Sequence, residues 1–109
     1  AYNTSSDYRL KENVVELTNA LTRVSQLQPK RFNFISDANT NYDGFLAHEV
    51  SSIVPEAIKG EKDAVDGEGN PEYQGIDQSK LVPLLTKAIQ EQQELIESLT
   101  ARIDQMENK

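Results

Sequence analysis

Cysteine and tryptophan are absent from this chain, and histidine occurs once. Without thiols there is no disulfide framework, no thiolate metal site and no thiol nucleophile. A single histidine argues against a His-based zinc centre. Basic charge is also scarce. Eleven Lys+Arg face eighteen Asp+Glu, for a net charge of -7. A nucleic-acid partner would need a basic footprint to displace counterions from phosphates, so that class is disfavoured, as is an anionic membrane surface. No run approaches the ~18 apolar residues of a membrane span. Hydrophobic residues make up 37% and aromatics 6% of the 109 residues. A chain of this size holds one domain and buries roughly 65% of the surface its unfolded form exposes. So lean a composition points to help from oligomerisation. Opening at Ala1 with no signal-type segment, the chain reads as a piece of a larger polypeptide.

What is present is easiest to read from the C-terminal third. Val82, Ile89, Ile96 and Ile103 lie seven apart, and Leu85, Gln92, Leu99 and Met106 repeat the interval three residues on. This a/d pattern runs over four heptads with no glycine, and Pro83 falls in the first turn, where proline is tolerated. About 28 residues give ~42 Å of helix, more than a small domain covers. The pattern therefore predicts a coiled coil between chains, with Gln92 as a polar layer that helps set register. Ile at a and Leu at d leave the chain number open.

Upstream, Leu10, Val14, Leu17, Leu21 and Val24 fall on one helical face. The β-branched pair Val14–Val15 weakens helix at the start, so the pattern predicts a helix over about 16–27, with 9–15 open to an extended form. Pro29 ends it. Phe32 and Phe34 alternate as in a strand over 30–35. The stretch 36–44 is dense in turn formers and predicts a loop, with Phe45–Leu46 as the returning strand. A short helix is expected over 48–54, stopped by Pro55. Asp66-Gly67-Glu68-Gly69 reads as a hairpin turn between arms at 64–65 and 73–76. That acidic turn lacks the ligand spacing of an EF-hand and the Lys-Ser/Thr of a phosphate loop, so it is read as solvated.

Chemistry has few candidates. His48, beside Glu49, reads in isolation as a structural hydrogen-bonder. Ser6 and Lys11 have the residue types for a hydroxyl activated by an amine. The amine must be neutral, against an ordinary lysine pKa of ~10.4. Along a straight strand the two lie ~16 Å apart on opposite faces. The chain must bend between them, or the pair must form across subunits.

The segment Ser6-Asp7-Tyr8-Arg9-Leu10-Lys11-Glu12-Asn13 resembles the opening signature of the peptidase S74 family. That family comprises the C-terminal intramolecular chaperone domains of bacteriophage tail fibres and tailspikes, including endosialidases. It also occurs in a membrane-tethered eukaryotic transcription factor. The resemblance continues in order through Ala20-Leu21, Leu27-Gln28-Pro29, Phe32, Phe34, Gly44-Phe45-Leu46-Ala47-His48-Glu49-Val50 and Val54-Pro55-Glu56. It then passes through Tyr73, Ile76-Asp77 and Leu81-Val82-Pro83-Leu84-Leu85 to Ala88-Ile89-Gln90-Glu91.

The resemblance implies a homotrimer whose C-terminal helices hold three covalently linked, β-rich N-terminal fibre passengers in register. It implies release by cleavage of Ser5–Ser6, with Ser6 as nucleophile, Lys11 as general base, and His48 and Glu49 as auxiliaries. No cofactor or metal is implied, and no membrane or nucleic acid as partner. The location implied is the host cytoplasm during virion assembly, with the released chaperone absent from the mature virion. The fold expected is α+β, a small mixed domain with short β-hairpins and a long helix in a trimeric coiled coil. Its parts would be the end of the passenger (1–5), a chaperone and autoprotease region (6–80) and the coiled-coil helix (81–109). The alternative is a trimeric structural cap that never cleaves.

Overall fold

The computed structural model describes residues 5–108. Residues 1–4, most of the expected passenger end, lie outside the described residues. The architecture is α+β, with two small antiparallel hairpins and one long C-terminal helix.

The first hairpin pairs β1 (Lys30–Phe34) with β2 (Asp37–Gly44). Phe32 faces Tyr42, and Arg31 and Asp43 form a 2.9 Å ion pair across the strands. Phe32, Phe34 and Tyr42 cluster with ring centroids 5.2–6.2 Å apart. These cross-strand pairs stabilise a ladder that the composition of 37–44 opposes. The expected loop is therefore the second strand itself, and the turn shrinks to Ile35–Ser36. Phe45–Leu46, expected as a strand, is the connection into the next helix. Gly44 sits close under an aromatic ring at the hairpin's root. A Cβ there would sit 3.1 Å from the Phe32 ring.

The second hairpin joins β3 (Ile58–Lys59) to β4 (Gly75–Ile76). The excursion between them closes on itself. Val65 bridges Pro71, and the Asp66 carboxylate accepts backbone N–H groups of Glu68 and Asn70. The expected arms at 64–65 and 73–76 thus pair with Pro71 and with β3, not with each other. The capped Asp66 turn is tight enough to use up its own partners.

Three helices make the core. α1 (Ala20–Val24) is far shorter than the helix expected over 16–27. Asn19 has φ 56°, and so does Asn13. A left-handed residue cannot continue a right-handed helix, and Asn tolerates that region best after Gly. α2 (Ala47–Ser51) ends before Val54, which Pro55 forces out of helical geometry at φ -132°. α3 (Val82–Glu107) runs 26 residues, ~39 Å. It is started by a 3₁₀ turn at Gln78–Leu81, whose Asp77 cap accepts from the Ser79 N–H and hydroxyl.

The first turns of α3 pack on α1. Leu81, Leu84 and Ala88 join Ala20, Val50, Val54 and Ala57 in a core of seven buried residues, none larger than leucine. The Arg23 guanidinium donates to the Ile53 carbonyl at 2.9 Å and ties α1 to the end of α2. Beyond Glu91, every described residue of α3 is exposed. The radius of gyration is 19.7 Å, against roughly 13 Å for a compact chain of this length. The described chain is a small globule carrying a long projecting helix.

Candidate active site

Residues 5–19 form an arm that leaves the globule at Asn19. Asp7 organises its first part. The Asp7 carboxylate accepts from the Arg9 backbone N–H and from both Nε and Nη2 of the Arg9 guanidinium, at 2.9–3.0 Å. Leu10 and Lys11 donate backbone N–H groups to the Asp7 and Tyr8 carbonyls. The result is a single 3₁₀ turn at Tyr8–Leu10. Such a turn rises about 2 Å per residue, against ~3.3 Å for a strand.

That shortening and rotation bring Lys11 back over Ser6. The Lys11 Nζ donates to the Ser6 Oγ at 2.9 Å, within one chain. Of the two routes open to the sequence, a bend or a neighbouring subunit, the arm takes the bend. The Arg9 guanidinium holds the Asp7 carboxyl below the usual carboxylate range, mainly through the side-chain hydrogen bond and then through the backbone one. Asp7 in turn pushes the Arg9 pKa up. Ser6, Asp7, Arg9 and Lys11 are all exposed.

Apolar residues of the arm are exposed too. Tyr8, Leu10, Val14 and Val15 keep 74–84% of their surface in contact with solvent. Four large apolar residues are thus left bare on one short segment.

His48 and Glu49 occupy different ground. Exposed His48 lines a groove with Glu61, Asp63 and Tyr73. Half-buried Glu49 faces Lys30 at 3.7 Å, joining α2 to the root of the first hairpin. Its Oε1 is buried without a hydrogen-bond partner among the described residues. No hydrogen bond or ion pair among those residues links either side chain to Ser6 or Lys11.

Sequence reasoning passed over two contacts. The Asp7–Arg9 pair had a visible signal, an Asp placed as an N-cap just before a short turn. The second contact joins distant parts of the chain. Glu91, on α3, accepts the Leu21 N–H at 2.6 Å and the Ala20 N–H at 3.4 Å. Nothing local marks a pairing across 70 residues.

Residues 6–59 match the family model Peptidase_S74, described as chaperone of endosialidase. The match begins at Ser6 and takes in the arm, the first hairpin and α2. The match supports a Peptidase_S74 domain over residues 6–59. The later motifs of the resemblance, from Tyr73 to Glu91, lie beyond the matched residues. The Peptidase_S74 name speaks for a peptidase-related domain, and the family description for a chaperone role. Within the domain, Ser6 and Lys11 stand at the matched N-terminal edge, and Glu49 stands ten residues before its end.

Proposed function

We propose that this chain is an intramolecular chaperone that trimerises through α3. In doing so it holds a covalently linked N-terminal fibre passenger in register, then releases itself by cutting Ser5–Ser6. The observation that carries the cleavage reading is the 2.9 Å contact between Lys11 Nζ and Ser6 Oγ. In the resting arm the amine donates to the hydroxyl. Catalysis needs the reverse, with a neutral amine accepting the hydroxyl proton.

Ser6 Oγ attacks the Ser5 carbonyl carbon while Lys11 takes the Oγ proton. The C–N bond breaks, and the departing Ser6 nitrogen takes that proton from Lys11. The product is an ester between the Ser5 carbonyl and Ser6 Oγ. One water then hydrolyses it, leaving a Ser5 carboxylate on the passenger and restoring the Ser6 hydroxyl. The step consumes water alone.

Trimerisation is supported by the seam. Val82, Leu85, Ile89, Ile96, Leu99, Ile103 and Met106 are 41–72% exposed along one stripe of α3, with Gln92 among them. The helix spends a different face, Leu84 and Ala88, on its own globule. Three copies would cover both the stripe and the bare arms. Covering the arm would exclude bulk water from Ser6 and Lys11, and this couples assembly to chemistry. His48 and Glu49 then serve as braces across a subunit boundary. We place the event in the host cytoplasm during virion assembly, with the freed chaperone left out of the mature particle.

A passenger fusion tests this on a denaturing gel and by mass spectrometry. The reading requires a released fragment whose first residue is Ser6, unchanged release in Ser5→Ala, and none in Ser6→Ala. Release in Ser6→Ala, or a fragment that starts elsewhere, overturns the assignment. If every fusion stays full length, the chain is a trimeric cap that never cleaves.

A further inference from the structure

At the root of the arm, one side chain of α3 hydrogen-bonds the first residues of α1. Glu91 lies on the face of α3 that packs against the globule, three residues beyond buried Ala88. Its carboxylate accepts two consecutive backbone N–H groups, those of Leu21 at 2.6 Å and Ala20 at 3.4 Å. Ala20 is fully buried, and Asn19 before it turns left-handed at φ 56°. The carboxylate therefore grips the chain at the point where the arm departs. Glu91 is the only side chain among the described residues that hydrogen-bonds the backbone at this root. The next residue of α3 is Gln92, the polar layer of the seam.

We infer that Glu91 is the positioning residue that couples trimerisation to self-cleavage, by fixing where the Ser6–Lys11 arm leaves α3. This inference rests on the cleavage reading above. Glu91 touches neither Ser6 nor Lys11 and takes no part in bond making. Its effect is directional. When α3 enters a three-helix seam, the root of each arm takes a set position beside the neighbouring helices. Tyr8, Leu10, Val14 and Val15 can then find cover on an adjacent copy. Without the carboxylate, α3 still associates through its own stripe, but the arm's departure point loses its hydrogen bonds to α3 and is held by the apolar packing of Ala20 with Leu84 and Ala88.

A time course of passenger-fusion cleavage, run beside sedimentation of the same samples, separates the roles. The variants are Glu91→Ala, which removes both acceptors, and Glu91→Gln, which keeps an acceptor oxygen of the same reach. Glu91→Ala should sediment as wild type and cleave about tenfold more slowly or worse, the scale of losing hydrogen bonds to a charged group. Glu91→Gln should regain most of the rate. Glu91→Ala cleaving at the wild-type rate as a trimer overturns the inference. So does loss of the trimer in Glu91→Ala, or failure of Glu91→Gln to cleave faster than Glu91→Ala. If Glu91→Ala does not fold, Glu91→Gln carries the test alone, and a rate more than tenfold below wild type in the folded trimer overturns the inference. A wild-type fusion that never cleaves refutes the cleavage reading instead. Amide exchange then judges the Glu91 contact, with faster exchange at Ala20 and Leu21 expected in Glu91→Ala and unchanged exchange counting against it.

Discussion

Lys11 reaches Ser6 inside one chain, its Nζ 2.9 Å from the Ser6 Oγ, because the Asp7–Arg9 pair folds the intervening residues into a 3₁₀ turn. A straight strand would hold the two ~16 Å apart. The Asp7 cap and the turn that it starts lie between the hydroxyl and the amine.

Complementation between chains follows from that contact. Mixed trimers of Ser6→Ala and Lys11→Ala fusions should recover no cleavage, because neither chain holds both partners. Gel analysis of refolded mixtures checks this. Partial cleavage of the chains that retain Ser6 would place the working pair across a subunit boundary.

The proposed assembly rests on the exposed stripe of α3. Replacing Ile96 and Leu99 with Asp puts charges into the seam at several kcal/mol of desolvation per buried ion. Sedimentation at micromolar concentration should show trimers for the wild-type domain and monomers for the double variant. The monomeric variant should also leave its fusion uncleaved. A monomeric wild-type domain would rule out the coiled-coil reading, and cleavage in a monomeric variant would sever assembly from chemistry.

The core is small enough for one residue to matter. Leu84 is buried against α1 and has no larger neighbour among the buried residues. Leu84→Ala should lower stability by about 2–5 kcal/mol, read from urea unfolding at matched protomer concentration. A loss under about 1 kcal/mol would mean that the cavity collapses or that α3 packs elsewhere.

Acid should loosen the arm in a defined window. The folded pKa of Asp7 lies below its ordinary 3.8, through its bonds to Arg9. A carboxyl whose folded pKa is depressed orders its surroundings at pH above its unfolded value, and this ordering is lost as pH falls through the folded value. In the Ser6→Ala domain, the Arg9 amide NMR signal should hold steady down to about pH 4 and then move, with a midpoint below 3.8. A midpoint at or above 3.8 would show that the pair does not form in solution.

The a/d spacing from Val82 to Met106 made α3 legible in the sequence, because a seven-residue apolar repeat has one helical explanation. Phe32 and Phe34 located β1 for a similar reason. The second strand was not legible. Asp37–Gly44 is written in turn formers and pairs only because β1 supplies a ladder and an aromatic partner for Tyr42. Leu10 to Val24 kept helical spacing, yet two left-handed asparagines interrupt the backbone there, and spacing alone carries no φ. At the site, the residue types at 6 and 11 were readable, whereas their meeting depended on an Asp7 cap. Glu91's grip on Leu21 depended on tertiary packing across 70 residues.

Cleavage of a Lys11→Arg fusion tests the central claim most directly. Arginine keeps the positive charge and the hydrogen-bond donor but cannot give up its proton to become a base. If Lys11 takes the Ser6 proton, the Lys11→Arg fusion should assemble as a trimer and stay full length, while the wild-type fusion releases a fragment beginning at Ser6. Release from Lys11→Arg at the wild-type rate would contradict the account, because the residue at position 11 would then supply only charge.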